Sequence, residues 1–185
     1  MAIPTDEDFR ALVDARGVLL AGALDAPKRT ESFTVFAQRN DAILEANLWE
    51  RHASQFFSTK VGLTIEKKYG DIAPPVVDAA RVVVAPPEVP PGTRFCYARP
   101  REDDDFDAAD AADARAGSTG LDLLAKRCGY VWLVAAEGED DRLAMLLAAI
   151  IASVVLGPIL SPDQQTLFGV RTARSKLEAP RAGYR

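Results

Sequence analysis

"LAMLLAAIIASVVLGPIL", Leu143 to Leu160, carries no charged side chain. Whether it crosses a bilayer or fills a protein interior decides what the rest of the chain can be. A membrane span needs roughly 20 mainly apolar residues in helical form to cross about 30 Å of hydrocarbon. Here Gly157-Pro158 follows Leu156, and the residue before a proline is disfavoured in the α region, so a helix from Leu143 is predicted to stop near Leu156. At about 1.5 Å per residue it reaches only about 21 Å. The run is rich in Ala and holds Ser153, and its flank is Glu139-Asp140-Asp141-Arg142 rather than a basic or aromatic belt. Three carboxylates at the start of a helix oppose the positive end of its dipole. The stretch therefore reads as a buried central helix, with Met145, Leu146, Ala149 and Ile150 among its buried positions, and the membrane is excluded as a partner.

The composition agrees with that reading. With 185 residues, 48% hydrophobic and 26% charged, the chain has material for one domain with a real core. A formal net charge of −5 argues against nucleic acid and anionic lipid, both of which need a Lys/Arg-rich face to displace counterions, and is compatible with a basic partner. Two cysteines are too few for a disulfide scaffold, and the acidic start "MAIPTDEDFR" has no apolar segment to serve as a secretory signal, so the cytoplasm is the expected compartment. Abundant Ala and Arg suggest a GC-rich bacterial source.

Outward from the central helix, periodicity sketches the other elements. A helix over Asp6–Arg16 is marked by Thr5 as cap and Gly17 as stop. Val18–Leu24 and Ser32–Arg39 form a candidate hairpin, the second alternating Phe33, Val35 and Ala37 against solvent-side positions. Leu44, Leu48, Trp49, His52, Ala53 and Phe56 fall on one helical stripe, and Val61, Leu63 and Ile65 alternate as in a strand. The segment 71–117 reads as irregular. Paired prolines at 74/75, 86/87 and 90/91 bracket "ARVVVA" and "TRFCYAR", which become edge strands or strands with stiff connections. "REDDDFDAADAADARAGSTG" reads as a mobile loop or a solvated helical turn. Ser118 or Thr119 caps a helix through Lys126, "YVWLVAA" is a buried strand, "ILSPDQQTLFGV" a small hairpin, and the basic tail 171–185 frays. The sum is a single α+β domain over 1–185, with a mixed or antiparallel sheet and helices packed mainly on one face.

The residues that could carry chemistry are few. His52 is the only histidine, so any triad or multi-histidine metal site would have to run through it, and "ERHASQFFS" has no nucleophile-elbow glycines. Cys96 and Cys128 have no second cysteine within four residues, which excludes zinc and CxxC redox readings and leaves them as small buried side chains. Counted from Asp103, an EF-hand would require Gly at Ala108 and Glu at Ala114, so calcium fails as well. "GSTG", Gly117 to Gly120, lacks both the P-loop lysine and the GxGxxG spacing. No cofactor, metal or catalytic residue is assigned. Trp49, Phe56 and Trp132 read as core, whereas Phe57 falls at the edge of its stripe and marks a contact surface.

What remains is the acidic segment, where Asp103, Asp104, Asp105 and Asp107 surround Phe106. Carboxylates there would steer a basic protein partner and Phe106 would anchor it. The expectation is a non-enzymatic bacterial cytoplasmic binding module of accessory, scaffold or immunity type, its contact residues Asp103, Asp104, Asp105, Phe106, Asp107 and Phe57. The alternative is a small enzyme in which Asp78, Glu66 or Asp122 acts with Arg171 or Arg174. A homodimer built on an exposed apolar face is compatible with either.

Overall fold

The computed structural model describes residues 26–38, 45–67, 79–138 and 140–179, the side chains of 63–67 aside. The expected helix at Asp6–Arg16, the Val18–Leu24 run, Leu44 and Asp78 lie outside them.

Among the described residues seven strands form one sheet: β1 (Ser32–Ala37), β2 (Lys60–Lys67), β3 (Ala79–Ala85), β4 (Gly92–Pro100), β5 (Tyr130–Ala135), β6 (Ile159–Leu160) and β7 (Leu167–Phe168). Their order is β2-β3-β4-β5-β1-β6-β7, and all six pairings are antiparallel. Five helices are described: α1 (Ala46–Phe57), α2 (Asp103–Arg115), α3 (Leu121–Lys126), α4 (Arg142–Val155) and α5 (Val170–Glu178), with one 3₁₀ turn at Arg29–Glu31. The fold is α+β, as the alternation of helical and strand periodicities predicts.

Strand alternation sends the sheet's side chains into two layers. Val35, Val82, Cys96, Trp132 and Val134 join the larger core under α1, α4 and α5. Phe36, Val131 and Leu133 join a smaller one under α2 and α3. Trp49 of α1 meets Trp132 of β5 edge-on, ring centroids 5.1 Å apart, so the two largest side chains lock a helix to the middle of the sheet.

The central helix is where the sequence puts it. Its charge-free run is buried on nearly every side because the sheet, α1 and α5 enclose it. Asp141 caps the helix by accepting from the Ala144 N–H at 3.0 Å, and the acidic residues precede the first turn rather than occupy it. Met145 is half-buried, not buried. Leu156 ends the helix in the left-handed region at φ 58°. Gly157 then passes so close to β1 that a Cβ on it would lie 1.6 Å from the Phe36 carbonyl oxygen, while the Phe36 N–H donates to the Pro158 carbonyl at 3.0 Å. Among the described residues no helix is long and apolar enough to cross a membrane.

Several expectations need correction. For β3 and β4 the reading as edge strands fails and that as strands with stiff connections holds: both are interior, and the described prolines sit in the connecting turn Pro86–Pro91 and at the last residue of β4, where no ladder N–H is lost from the middle of a strand. Segment 71–117 is thus largely regular where it is described. β1 is buried on both faces, with Ser32 and Thr34 inaccessible, because helices cover both sides of it. Its described neighbours are β5 and β6, and the expected hairpin partner, Val18–Leu24, lies outside the described residues. The basic tail does not fray from residue 171, since α5 runs to Glu178 with Ala173 in the core and Arg142 holding its last carbonyls.

Candidate functional site

The acidic segment is a regular thirteen-residue helix, α2, neither loop nor isolated turn. Alanine is the strongest helix former, and Asp103, Asp104 and Asp105 in the first turn oppose the dipole. Ala109 and Ala112 give the helix a flat inner face that approaches the sheet closely without large side chains.

Helical spacing divides its carboxylates into two sets. Asp105 and Asp113 turn inward with Ala109 and Ala112; Asp103, Asp104, Asp107 and Asp110 stay exposed. Asp105, expected in the steering set, is completely buried. Its two oxygens lie 2.6 and 2.8 Å from the guanidinium nitrogens of Arg99, Arg29 adds a contact at 3.3 Å, and the Glu102 N–H donates to it at 2.9 Å. Burial pushes its carboxyl upward, but the Arg99 hydrogen bonds, the Glu102 N–H and the two positive charges outweigh burial and hold it below the ordinary range. Phe106 is half-buried rather than free: the Arg101 guanidinium carbon and the Lys126 ammonium stand 5.8 and 5.4 Å from its ring centroid.

Asp113 was not singled out in the sequence, yet it organises the "GSTG" loop. Its carboxylate accepts from the Gly120 N–H at 3.0 Å and from the Thr119 hydroxyl. The loop amide that a phosphate could have used is therefore spent on an internal anion. The cap of α3 is Gly120, in the left-handed region, rather than Ser118 or Thr119. Burial raises the Asp113 carboxyl and these hydrogen bonds lower it further, so the net shift is downward.

The remaining candidates are dispersed. His52 is half-buried, its Nδ1 2.9 Å from the Ser153 Oγ, and its pKa is lowered by burial and then by Arg51. Cys128 donates to the Leu124 carbonyl at 3.3 Å, and burial pushes its thiol up to about 11 against a smaller opposing effect of Arg101. Cys96 is buried in β4. The two phenylalanines exchange the expected places: Phe57 packs against the core, whereas Phe56 is 47% exposed with its ring edge-on to His52 at 5.2 Å. The chain reverses at Ser58, φ 49°, and drops into β2, so the residue beside that turn is the one drawn inward. Both rings line a cleft on the α1–α4–α5 side of the sheet. Asp122, the alternative acid, lies near Asp113 on the α2–α3 side, while Arg171 and Arg174 ride on α5, the latter paired with Glu178 at 2.7 Å. The sheet separates them. The side chain of Glu66 and all of Asp78 lie outside the described residues. Among the described residues no group of three or more His, Cys, Asp and Glu side chains is placed to hold a metal ion.

Fold and site together define an α+β protein built on an antiparallel sheet, with its candidate contact carboxylates on a covering helix. Comparison with protein-family models, curated proteins and solved structures finds no match for this chain.

Proposed function

We propose that this protein is a non-enzymatic binding module of a bacterial cytoplasm, and that the outer face of α2 receives a basic protein partner. The observation that carries the proposal is the division of carboxylates on α2. Asp105 is neutralised by Arg99 and Asp113 is buried and occupied by the Gly120 N–H and the Thr119 hydroxyl, whereas Asp103, Asp104, Asp107 and Asp110 are exposed and have no cationic partner among the described residues. They project from a rigid helix, so their field is fixed in direction. Phe106, between two cations of the same chain, contributes an aromatic edge at the border of that face. The perturbed carboxyls of Asp105, Asp113, Asp141 and Asp163 are all shifted away from neutrality, which supports a binding role over general acid–base chemistry.

The test is kinetic. After crosslinking in the native host identifies the partner, stopped-flow association is measured for the wild type and for Asp103→Asn/Asp104→Asn/Asp107→Asn/Asp110→Asn. Rim charges act mainly on the association rate and are screened over a Debye length of about 8 Å at physiological ionic strength. The variant should associate at least about tenfold more slowly at low salt and lose most of its salt dependence. An unchanged rate and salt slope refute the proposal.

A further inference from the structure

A cleft of about 690 Å³ opens on the opposite side of the sheet from α2, within the usual range for small-molecule sites. Its apolar wall comes from Phe56, Phe57, Leu143, Leu146, Leu177 and Val89. Four elements meet there: the C-terminal end of α1, the proline-rich β3–β4 turn, the first turn of α4 and the last turn of α5. Phe56, the most exposed phenylalanine of the described residues, stands at this cleft, so its open ring surface belongs to a concavity that other apolar side chains share.

The charges around it are unequal in effect. Arg174 and Glu178 neutralise one another at 2.7 Å. Asp141, adjacent to the cleft, is consumed by Arg94, whose Nε lies 2.6 Å from it. Glu88 is exposed on the turn, where water and salt screen it. Arg142 differs from all of these. It is half-buried, and its guanidinium donates only to the neutral carbonyls of Leu177 and Ala179; no carboxylate among the described residues pairs with it. A guanidinium held by neutral acceptors keeps its full charge and has five N–H donors, of which these two contacts use a minority. An unneutralised, fixed cation in the lining of a cleft with an apolar wall selects a ligand with an apolar body and an anionic head, because such a ligand buries its chain and forms a charge-assisted hydrogen bond that a neutral amphiphile cannot.

We infer that the cleft between α1, α4, α5 and the β3–β4 turn binds a small amphiphilic carboxylate, its chain against Phe56, Leu143 and Leu146 and its head on Arg142. The site is independent of the acidic face of α2, and either proposal can fail alone.

Octanoate is the probe, with octan-1-ol as its neutral counterpart, titrated into the full chain and followed by two-dimensional NMR. Octanoate should shift resonances of Phe56, Leu143 and Leu146 saturably and bind about tenfold or more tightly than octan-1-ol. Arg142→Gln should abolish that preference and leave octan-1-ol binding nearly unchanged. Arg142→Lys, which keeps the charge, should retain most of it. Because Arg142 also holds the end of α5, Phe56→Glu provides a variant at an exposed position; it should fold normally and lose octanoate binding by tenfold or more. The inference is overturned if octanoate causes no saturable shift at these residues, if octan-1-ol binds equally well, or if Phe56→Glu folds and binds octanoate like the wild type.

Discussion

Asp105 and Arg99 form a two-point ion pair inside the protein, the carboxylate wholly inaccessible and both of its oxygens within 2.8 Å of the guanidinium. The pair ties the start of α2 to the end of β4, so the helix that carries the exposed carboxylates is held at its first turn by one that is not exposed. Breaking a buried pair by removing one partner strands the other charge, at a cost of about 3–5 kcal/mol. Asp105→Asn should therefore lower unfolding free energy by several kcal/mol in urea titrations, whereas Asp104→Asn should change it by less than about 0.5 kcal/mol. Equal effects at the two positions would contradict this account.

The same carboxyl sets a direction for acid stability. Its native pKa is lowered, so its contribution is complete above the unfolded value of about 3.9 and disappears as pH falls through the lowered native value. Unfolding free energy measured from pH 6 to pH 2 should fall steeply at the acid end for the wild type and more gently for Asp105→Asn.

At the end of α4, two neighbouring residues have opposite requirements. Leu156 is 63% exposed and sits at φ 58°, a conformation that costs a β-carbon-bearing residue about 1–2 kcal/mol. Leu156→Gly should stabilise by up to about 1 kcal/mol once glycine's greater freedom in the unfolded chain is subtracted. Gly157 is held by space, not by φ: its Cβ would overlap the Phe36 carbonyl of β1. Gly157→Ala should destabilise by at least about 2 kcal/mol. Thermal melts of the two variants should move in opposite directions.

Cys128 should be inert in the native protein. With its thiol pushed up to about 11, the thiolate that reacts with iodoacetamide is scarce at pH 8. Mass spectrometry should show no alkylation of Cys128 in the native state and full alkylation in urea. Rapid labelling of the folded protein would show that the thiol is far more accessible and acidic than its surroundings imply.

How far the sequence could be read depended on the range of the forces involved. The α4 helix, its stop at Gly157-Pro158 and the buried β5 strand follow from patterns within a few residues, and these expectations hold. The fate of "EDDDFD" does not. Its helix is local, carried by Ala and by first-turn Asp, but the inward turn of Asp105 depends on Arg99 in β4 and on Arg29 ahead of β1, which no local spacing connects to it. Phe56 and Phe57 fail similarly: the stripe places Phe56 inside, and only the tight reversal at Ser58 into β2 draws Phe57 inward instead. The cleft was invisible because it is assembled from four elements distant in the chain. Arg142 stood out in the sequence only as the flank of the apolar run, while its carbonyl partners lie in a tail expected to fray.

The position of β1 also governs how the protein can be made. Ser32 faces Ala135 across the sheet, and Thr34 faces Leu160 on the other side. The strand synthesised first among those described can therefore be seated only after nearly all the others have emerged. Until then Phe33, Val35 and Phe36 have none of their final neighbours from β5 and β6, and contacts so far apart in the chain slow folding and lengthen the exposure of apolar surface. On a translating ribosome the β2–β3–β4 meander can form early, but the two halves of the sheet join late, as β1 slots between β5 and β6. Newly made chains are thus most vulnerable to aggregation and to chaperone capture along β1.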